Sequence, residues 1–212
     1  EDYPQIENGV GLVRRTLELS ESALACTMFA FGAGSMLAAL GLPRLLDCVP
    51  DRPVMVGGAA LMVLTLLALA GEVAMLGLDW TFLLGAWLLV GLGYSAVLTP
   101  SGRLLRRSSH PEDRPALFAA QFALSHACWL VTYPLAGWLM TELGAVVALS
   151  GLSLLAALGA VTALLLWPRH DPVIIEHRHD DLPLDHPHLL GAPRHRHAYV
   201  IDDLHRHWPG RS

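Results

Sequence analysis

The sequence contains no lysine, and charged residues of every kind make up only 16% of its 212 residues. An average soluble domain carries about 25% charged residues, so the composition disfavours a soluble globular protein. The net charge of −5 argues against a nucleic-acid partner, because proteins that bind nucleic acid present basic surfaces to the phosphates. The three cysteines are few and odd in number, which does not suggest a disulfide framework.

Motifs of secretion and of catalysis are also missing. The chain opens at Glu1 without the basic segment, apolar segment and cleavage site of a signal peptide. It contains no His-Glu-x-x-His, no nucleophile elbow and no paired acids within an apolar stretch. We therefore expect a protein that is not an enzyme and that requires no cofactor.

The main positive feature is a series of five apolar stretches between residues 21 and 167. They are Ser22–Leu42, Val54–Gly71, Thr81–Thr99, Ala116–Met140 and Gly144–Trp167. A helix needs about 20 residues to cross about 30 Å of hydrocarbon, and none of these stretches carries a formal charge in its interior. The stretches are apolar nearly all round, as helices in lipid must be. The sequence predicts an all-α, polytopic bundle of five transmembrane helices.

The placement of arginine predicts the orientation of this bundle. The loop 43–53 carries Arg44 and Arg52, and the loop 100–115 carries four more arginines, whereas the two loops on the other side contain acids and no arginine. Basic loops favour the cytoplasmic side. We expect a multi-pass protein of the inner or plasma membrane with a cytoplasmic C-terminus.

Polar residues concentrate in the fourth stretch. At about 100° per residue, one helix face carries Gln121, Ser125, Cys128 and Thr132. His126 and Tyr133 fall on a second face. Polar side chains at this depth face a partner helix or a wet cavity. Two interpretations stay open for Gln121 and Ser125, namely attachment to a neighbouring helix and lining of a solute path. For His126 we favour a structural role over proton transfer.

The region before and after the first stretch resembles a known family. The segment Leu17–Leu24, the glycine-rich stretch after it, and then Gly41, Asp47, Asp51 and Arg52 look like the second half of a major facilitator superfamily transporter. In that family a loop of the type Gly-x-x-x-Asp-Arg-x-Gly-Arg-Arg follows helix two, and a degenerate copy follows helix eight.

The resemblance implies that the five stretches are helices eight to twelve. Helices nine and twelve would then face lipid, while eight, ten and eleven, which hold Tyr94 and the polar residues of the fourth stretch, would border the central cavity. Residues 1–20 would hold the end of a preceding helix and an external loop. The N-terminal half of the transporter would be a missing partner, and the function would be secondary active export of a small solute.

The tail, residues 168–212, is rich in histidine. It contains four His-x-His pairs, which are His177 and His179, His186 and His188, His195 and His197, and His205 and His207. In extended chain, residues two apart share a face, and neutral imidazole suits zinc, nickel or cobalt. We expect a mostly disordered tail that binds a divalent metal weakly. The alternative is that these histidines are incidental, since the arginines between them would repel a cation.

Two functions follow from these features. Some metal exporters of the family resembled here have His-rich cytoplasmic tails, which makes efflux of nickel, cobalt or zinc the candidate activity. The alternative is a small metal-responsive membrane accessory or sensor protein that does not itself transport.

Overall fold

The computed structural model describes residues 21–168, 171–180, 182–183, 185–189 and 192–209. Its helices are α1 Glu21–Cys48, α2 Asp51–Met75, α3 Trp80–Arg107, α4 Arg114–Glu142 and α5 Ala145–Leu166. The tail contributes strand β1 Ile174–Arg178, a 3-10 turn Pro187–Leu189 and strand β2 Arg194–Ala198. All five helices are long and apolar enough to cross a membrane, which confirms the predicted helical bundle. The expected end of a preceding helix, residues 1–20, lies outside the described residues.

The helices extend beyond the apolar stretches into both arginine-bearing loops. α1 continues through Pro43 to Cys48 and α2 begins at Asp51, so most of the loop predicted over residues 43–53 is helical. α3 likewise continues through Pro100 to its end. A proline removes one helix hydrogen bond, a loss that neighbouring helices can compensate in membrane proteins. The predicted loop bounds were therefore wrong, because the end of an apolar stretch is not the end of its helix.

α1 buries one narrow face, and glycines bring that face close to α3. Its buried residues recur every three or four positions between Ala23 and Leu46. A Cβ atom on Gly34 would overlap the carbonyl oxygen of Leu88 in α3, and one on Gly91 of α3 would overlap a backbone carbonyl of α1. Close approach of two helix backbones is the arrangement that small residues at four-residue spacing permit in membranes.

α2 lies against both α3 and α5. A Cβ atom on Gly58 of α2 would lie 2.8 Å from the carbonyl oxygen of Gly93 in α3. Ser153 of α5 is 1% exposed and donates a 3.0 Å hydrogen bond to the carbonyl oxygen of Val63 in α2. The two helices with the fewest polar residues are therefore joined by a buried serine.

α4 is the most exposed helix of the described structure. None of its residues is buried among the parts of the chain that the structure describes. Phe122 and Tyr133 expose 65% and 68% of their surface. One side of α4 is consequently left uncovered by the other four helices.

The chain divides into two compact units, which are best considered separately. The first comprises residues 1–101 and 122–167, as far as they are described, and contains most of the five helices. The second comprises residues 102–121 and 168–212, and therefore joins the C-terminal end of α3, the α3–α4 loop and the start of α4 with the tail.

The described part of the tail is ordered. β1 and β2 pair antiparallel, with His177 opposite His195. Leu189, Tyr199 and Ile201 are buried, and the ring of Tyr199 packs against the rings of His177 and His205. The expectation of a mostly disordered tail was wrong for these residues, because their polar composition was taken as a sign of disorder although the His-x-His alternation suits a strand.

Candidate functional site

The second polar face of α4 carries a column of rings. The ring of His126 lies 3.8 Å from that of Phe122 and 4.8 Å from that of Trp129, and Tyr133 stacks on Trp129 at 6.0 Å. The Nδ1 atom of His126 donates a 2.8 Å hydrogen bond to the carbonyl oxygen of Phe122. The sequence interpretation included His126 and Tyr133 but missed Phe122 and Trp129. The four rings follow one another at spacings of four, three and four residues, and this helical period is the signal that would have found the two missed residues.

The other residues predicted to line a solute path lie outside this column. Gln121 and Thr132 are half-buried and Ser125 is exposed. The hydroxyl of Thr132 donates a 2.9 Å hydrogen bond to a carbonyl oxygen one turn earlier in its own helix. Tyr94 is half-buried and packs against Phe31 of α1, with ring centroids 5.7 Å apart. Tyr94 therefore takes part in the α1–α3 contact.

The residues of the predicted loop motif lie at helix ends rather than in a loop. Gly41 and Asp47 are exposed on α1, whereas Asp51 is only 6% exposed in the first turn of α2. A carboxylate there is favourable, because the N-terminus of a helix carries partial positive charge. Arg52 donates a 3.5 Å hydrogen bond to the carbonyl oxygen of Leu164, in the last turn of α5. Carbonyl groups in the last turn of a helix have no partner within that helix.

Histidines from four segments of the tail converge on one centre. Two overlapping groups of four have ligand atoms that all lie within 4.8 Å of one another. The first group is His177, His179, His188 and His195, and the second is His177, His188, His197 and His205. His186 and His207, which we also expected to bind metal, belong to neither group. The two pairs they come from are split, with one member in the cluster and one outside it.

The arginines between the histidines point to the opposite face of the hairpin. In both strands the histidines are half-buried and the arginines are exposed, as the alternation of side chains along a strand requires. Arg178 pairs with Asp180 at 2.5 Å and Arg194 pairs with Glu176 at 2.6 Å. The positive charges are therefore directed away from the imidazoles and partly neutralised by carboxylates.

Hydrogen bonds on the outer side of three rings determine where their protons lie. Nδ1 of His205 is 2.8 Å from a carboxylate oxygen of Asp202. Nδ1 of His177 and Nδ1 of His197 lie 3.1 and 2.8 Å from backbone carbonyl oxygens. These oxygens accept hydrogen bonds, so each Nδ1 is the donor and each neutral ring presents a lone pair at Nε2.

The Nε2 atoms lie at the separation expected of ligands to one ion. Nε2 of His205 is 3.0 Å from Nε2 of His177, and 3.2 Å from the Nε2 atoms of both His179 and His188. The lone pairs of His205 and His177 cannot hydrogen-bond to each other. With metal–nitrogen bonds of about 2.0–2.1 Å, neighbouring ligand nitrogens lie about 2.9–3.4 Å apart in octahedral or tetrahedral geometry. A cation between the rings satisfies this arrangement.

The electrostatics of the cluster favour the neutral form of His188 and His177. Burial, reinforced by the neighbouring imidazoles, lowers the pKa of His188 to about 4. Burial also lowers the pKa of His177, and electrostatic repulsion from His205 lowers it further. Burial raises the pKa of Asp202, but hydrogen bonds from His205 outweigh this and hold that pKa below its usual value. Near neutral pH His188 and His177 therefore offer uncharged nitrogen ligands, and Asp202 supports the ring of His205, as carboxylates do for histidine ligands in metal sites.

A family model described as the Major Facilitator Superfamily matches residues 9–197, which is most of the chain. No curated protein matches the sequence.

Proposed function

The chain belongs to the major facilitator superfamily of membrane transporters, and we propose that it forms part of a secondary active exporter of a divalent metal ion. It is a multi-pass membrane protein of a transporter family, not of an enzyme class, whose members interact with the bilayer and with small solutes. The observation that carries the choice of cargo is the 3.0 Å approach of the His205 and His177 Nε2 atoms. Two imidazoles held at this distance are placed to bind one cation between them.

The ligand set narrows the class of metal. Neutral imidazole suits zinc, nickel and cobalt, whereas calcium and magnesium prefer oxygen ligands. The described cluster contains histidines and no cysteine, which favours these borderline ions over copper(I). In the proposed exporter the tail collects zinc, nickel or cobalt and requires no other cofactor.

The exposed side of α4 supports a role for this helix in transport. Gln121, Ser125 and His126 lie on a helix that the other four leave uncovered. We infer that this side of α4 borders a cavity whose opposite wall is made by helices other than these five, as the N-terminal half of such a transporter would supply. α2 and α5, joined through Ser153, are then the helices of the lipid side.

The arginines of the helix ends support the orientation of this exporter. Arg44, Arg52 and the arginines between residues 103 and 114 fall on one side, which the distribution of positive charge makes cytoplasmic. The tail then lies in the cytoplasm of the cell and meets its metal ion before export.

Metal accumulation in sealed inside-out membrane vesicles tests this function. Vesicles that contain this chain as part of a complete transporter should accumulate zinc or nickel faster than vesicles that lack the transporter. Gln121→Ala should slow uptake about tenfold, the effect of losing a polar contact of 1–2 kcal/mol. Thr162→Ala is the matched control, because that hydroxyl is exposed on α5 and bonds a carbonyl of its own helix at 2.8 Å.

The outcomes separate the parts of this function. Equal uptake with and without the protein would show that the ion is not the cargo. Binding of metal without transport would favour the metal-responsive accessory protein instead. Equal effects of the two substitutions, with both variants inserted normally, would remove α4 from the solute path.

A further inference from the structure

The end of α3 is held by the tail segment that follows the histidine cluster. The backbone N–H of Ile201 donates a 3.0 Å hydrogen bond to the carbonyl oxygen of Arg107, the last residue of α3. The guanidinium of Arg107 pairs with Asp171 and lies 5.1 Å from the ring centroid of Trp208. The Arg107 side chain is only 12% exposed, so this ion pair is less screened by water than an open surface pair.

A second contact holds the loop between α3 and α4. Nε2 of His110, in that loop, lies 2.9 Å from a carboxylate oxygen of Asp203. The preceding residue, Asp202, accepts hydrogen bonds from Nδ1 of His205 and from the backbone N–H groups of Leu204 and His205, at 2.8 to 2.9 Å. The turn 202–205 therefore joins a ring of the cluster to a residue that contacts the loop.

His205 is the member of the cluster whose position depends most on an ion. Its side chain is almost fully buried, and its Nε2 lies within 3.2 Å of the Nε2 atoms of His177, His179 and His188. Without a cation, the Nε2 lone pairs of His205 and His177, held 3.0 Å apart, repel each other. A movement of His205 displaces Asp202 with it, because the Asp202 carboxylate accepts hydrogen bonds from the ring of His205 and from the backbone N–H groups of Leu204 and His205.

We propose that a divalent metal ion bound by the histidine cluster clamps the α3–α4 loop, so that occupancy of the tail controls the loop that connects two helices of the transporter. The clamp consists of the contacts from Ile201, Asp171, Asp203 and Trp208 to Arg107 and His110. This inference rests on the metal binding proposed for the tail, but it requires no transport of the ion. It makes the tail a sensor of its own metal, acting on α3 and α4.

Hydrogen exchange in the full chain, held in lipid nanodiscs, tests the clamp. Zinc should slow exchange of the amides of residues 108–110, 112 and 113 and of Ile201 by about 5- to 150-fold, the range of typical allosteric coupling. Asp171→Asn removes a clamp contact without changing any imidazole, and should reduce this protection. Asp180→Asn is the matched control, because its partner Arg178 lies on the outer face of the hairpin.

Zinc affinity, measured on the same samples, completes the test. Coupling is reciprocal, so Asp171→Asn should weaken zinc binding by the same factor by which it lowers the protection of the loop, and Asp180→Asn should not. If zinc binds and loop exchange does not change, the clamp is overturned while the metal site stands. If the chain binds no zinc, the site and the clamp fall together. Equal behaviour of the two variants also overturns the clamp.

Discussion

At the scale of single residues, His186 and His188 differ in what their ring nitrogens contact. Nε2 of His188 lies 3.2 Å from the Nε2 atoms of His205 and His195. Nδ1 of His186 instead accepts a 3.2 Å hydrogen bond from the backbone N–H of His188. The two rings diverge because residues 187–189 form a 3-10 turn, in which residues two apart do not share a face.

This difference predicts unequal effects of two neighbouring substitutions. His188→Ala should weaken zinc binding by the full chain by at least about 10–100-fold, since removal of residues that only support a metal ligand already costs that much. His186→Ala should leave the affinity nearly unchanged. Competition against a chromophoric zinc indicator measures both. Equal losses would show that the described cluster is not the binding set.

The pKa of His188 predicts how the metal-free tail responds to acid. Burial and the surrounding imidazoles lower this pKa from 6.5 to about 4, so the folded tail binds fewer protons than the unfolded tail. The contribution of His188 to stability is therefore fully present above about pH 6.5 and is lost as the pH falls through about 4. We expect the metal-free hairpin to lose stability in this window, and the titration of the His188 ring by NMR to have its midpoint near pH 4. A midpoint near 6.5 would contradict the burial of this ring.

At the scale of helices, α3 makes the closest contacts through glycines on two sides. Gly91 meets the backbone of α1, and Gly93 meets the backbone of α2. The hydroxyls of Ser35 in α1 and Ser95 in α3 add a hydrogen bond of 2.9 Å. The hydrophobic effect does not drive helices together within lipid, so van der Waals contacts and hydrogen bonds of this kind hold them together.

Two glycines of α1 allow this packing to be tested with a matched pair of variants. Gly34→Ala would place a Cβ atom onto the backbone of Leu88, whereas a Cβ atom on Gly32 would meet nothing within 4 Å. We expect Gly34→Ala to destabilise the bundle by about 1–3 kcal/mol, as overpacking does, and Gly32→Ala to be neutral or slightly stabilising, because alanine is the better helix former. Unfolding in mixed detergent micelles measures both. Equal stability of the two variants would contradict the α1–α3 contact.

The ends of these elements were harder to predict than their existence. Hydropathy predicted each helix because lipid requires about 20 apolar residues. It did not predict that α1 and α3 continue through Pro43 and Pro100, since helix continuation past a proline depends on tertiary contacts. The sequence placed the His-x-His pairs in extended chain but did not predict that two of these segments pair as a hairpin, because strand pairing depends on contacts between distant residues.

At the scale of the whole molecule, class and family were accessible from the sequence, whereas the geometry of the candidate sites was not. Five stretches without charge, the loop motif, and the order of the polar and featureless stretches together predicted a major facilitator protein. The His-x-His pairs predicted a metal site, but not that His205 would meet His177, 28 positions earlier. That contact depends on strand pairing and on the burial of Leu189 and Tyr199, which no local pattern encodes.

The register of the hairpin has a consequence for how the tail avoids misfolding. His177 opposes His195, and Arg178 opposes Arg194. A slip of one residue in a strand exchanges its two faces, which would turn its imidazoles outward and bring arginine toward the centre. Guanidinium groups cannot be neutralised there and would repel both one another and any metal ion. The arginines of this metal-binding segment thus disfavour the shifted register, since only the observed pairing keeps positive charge away from the site of a cation.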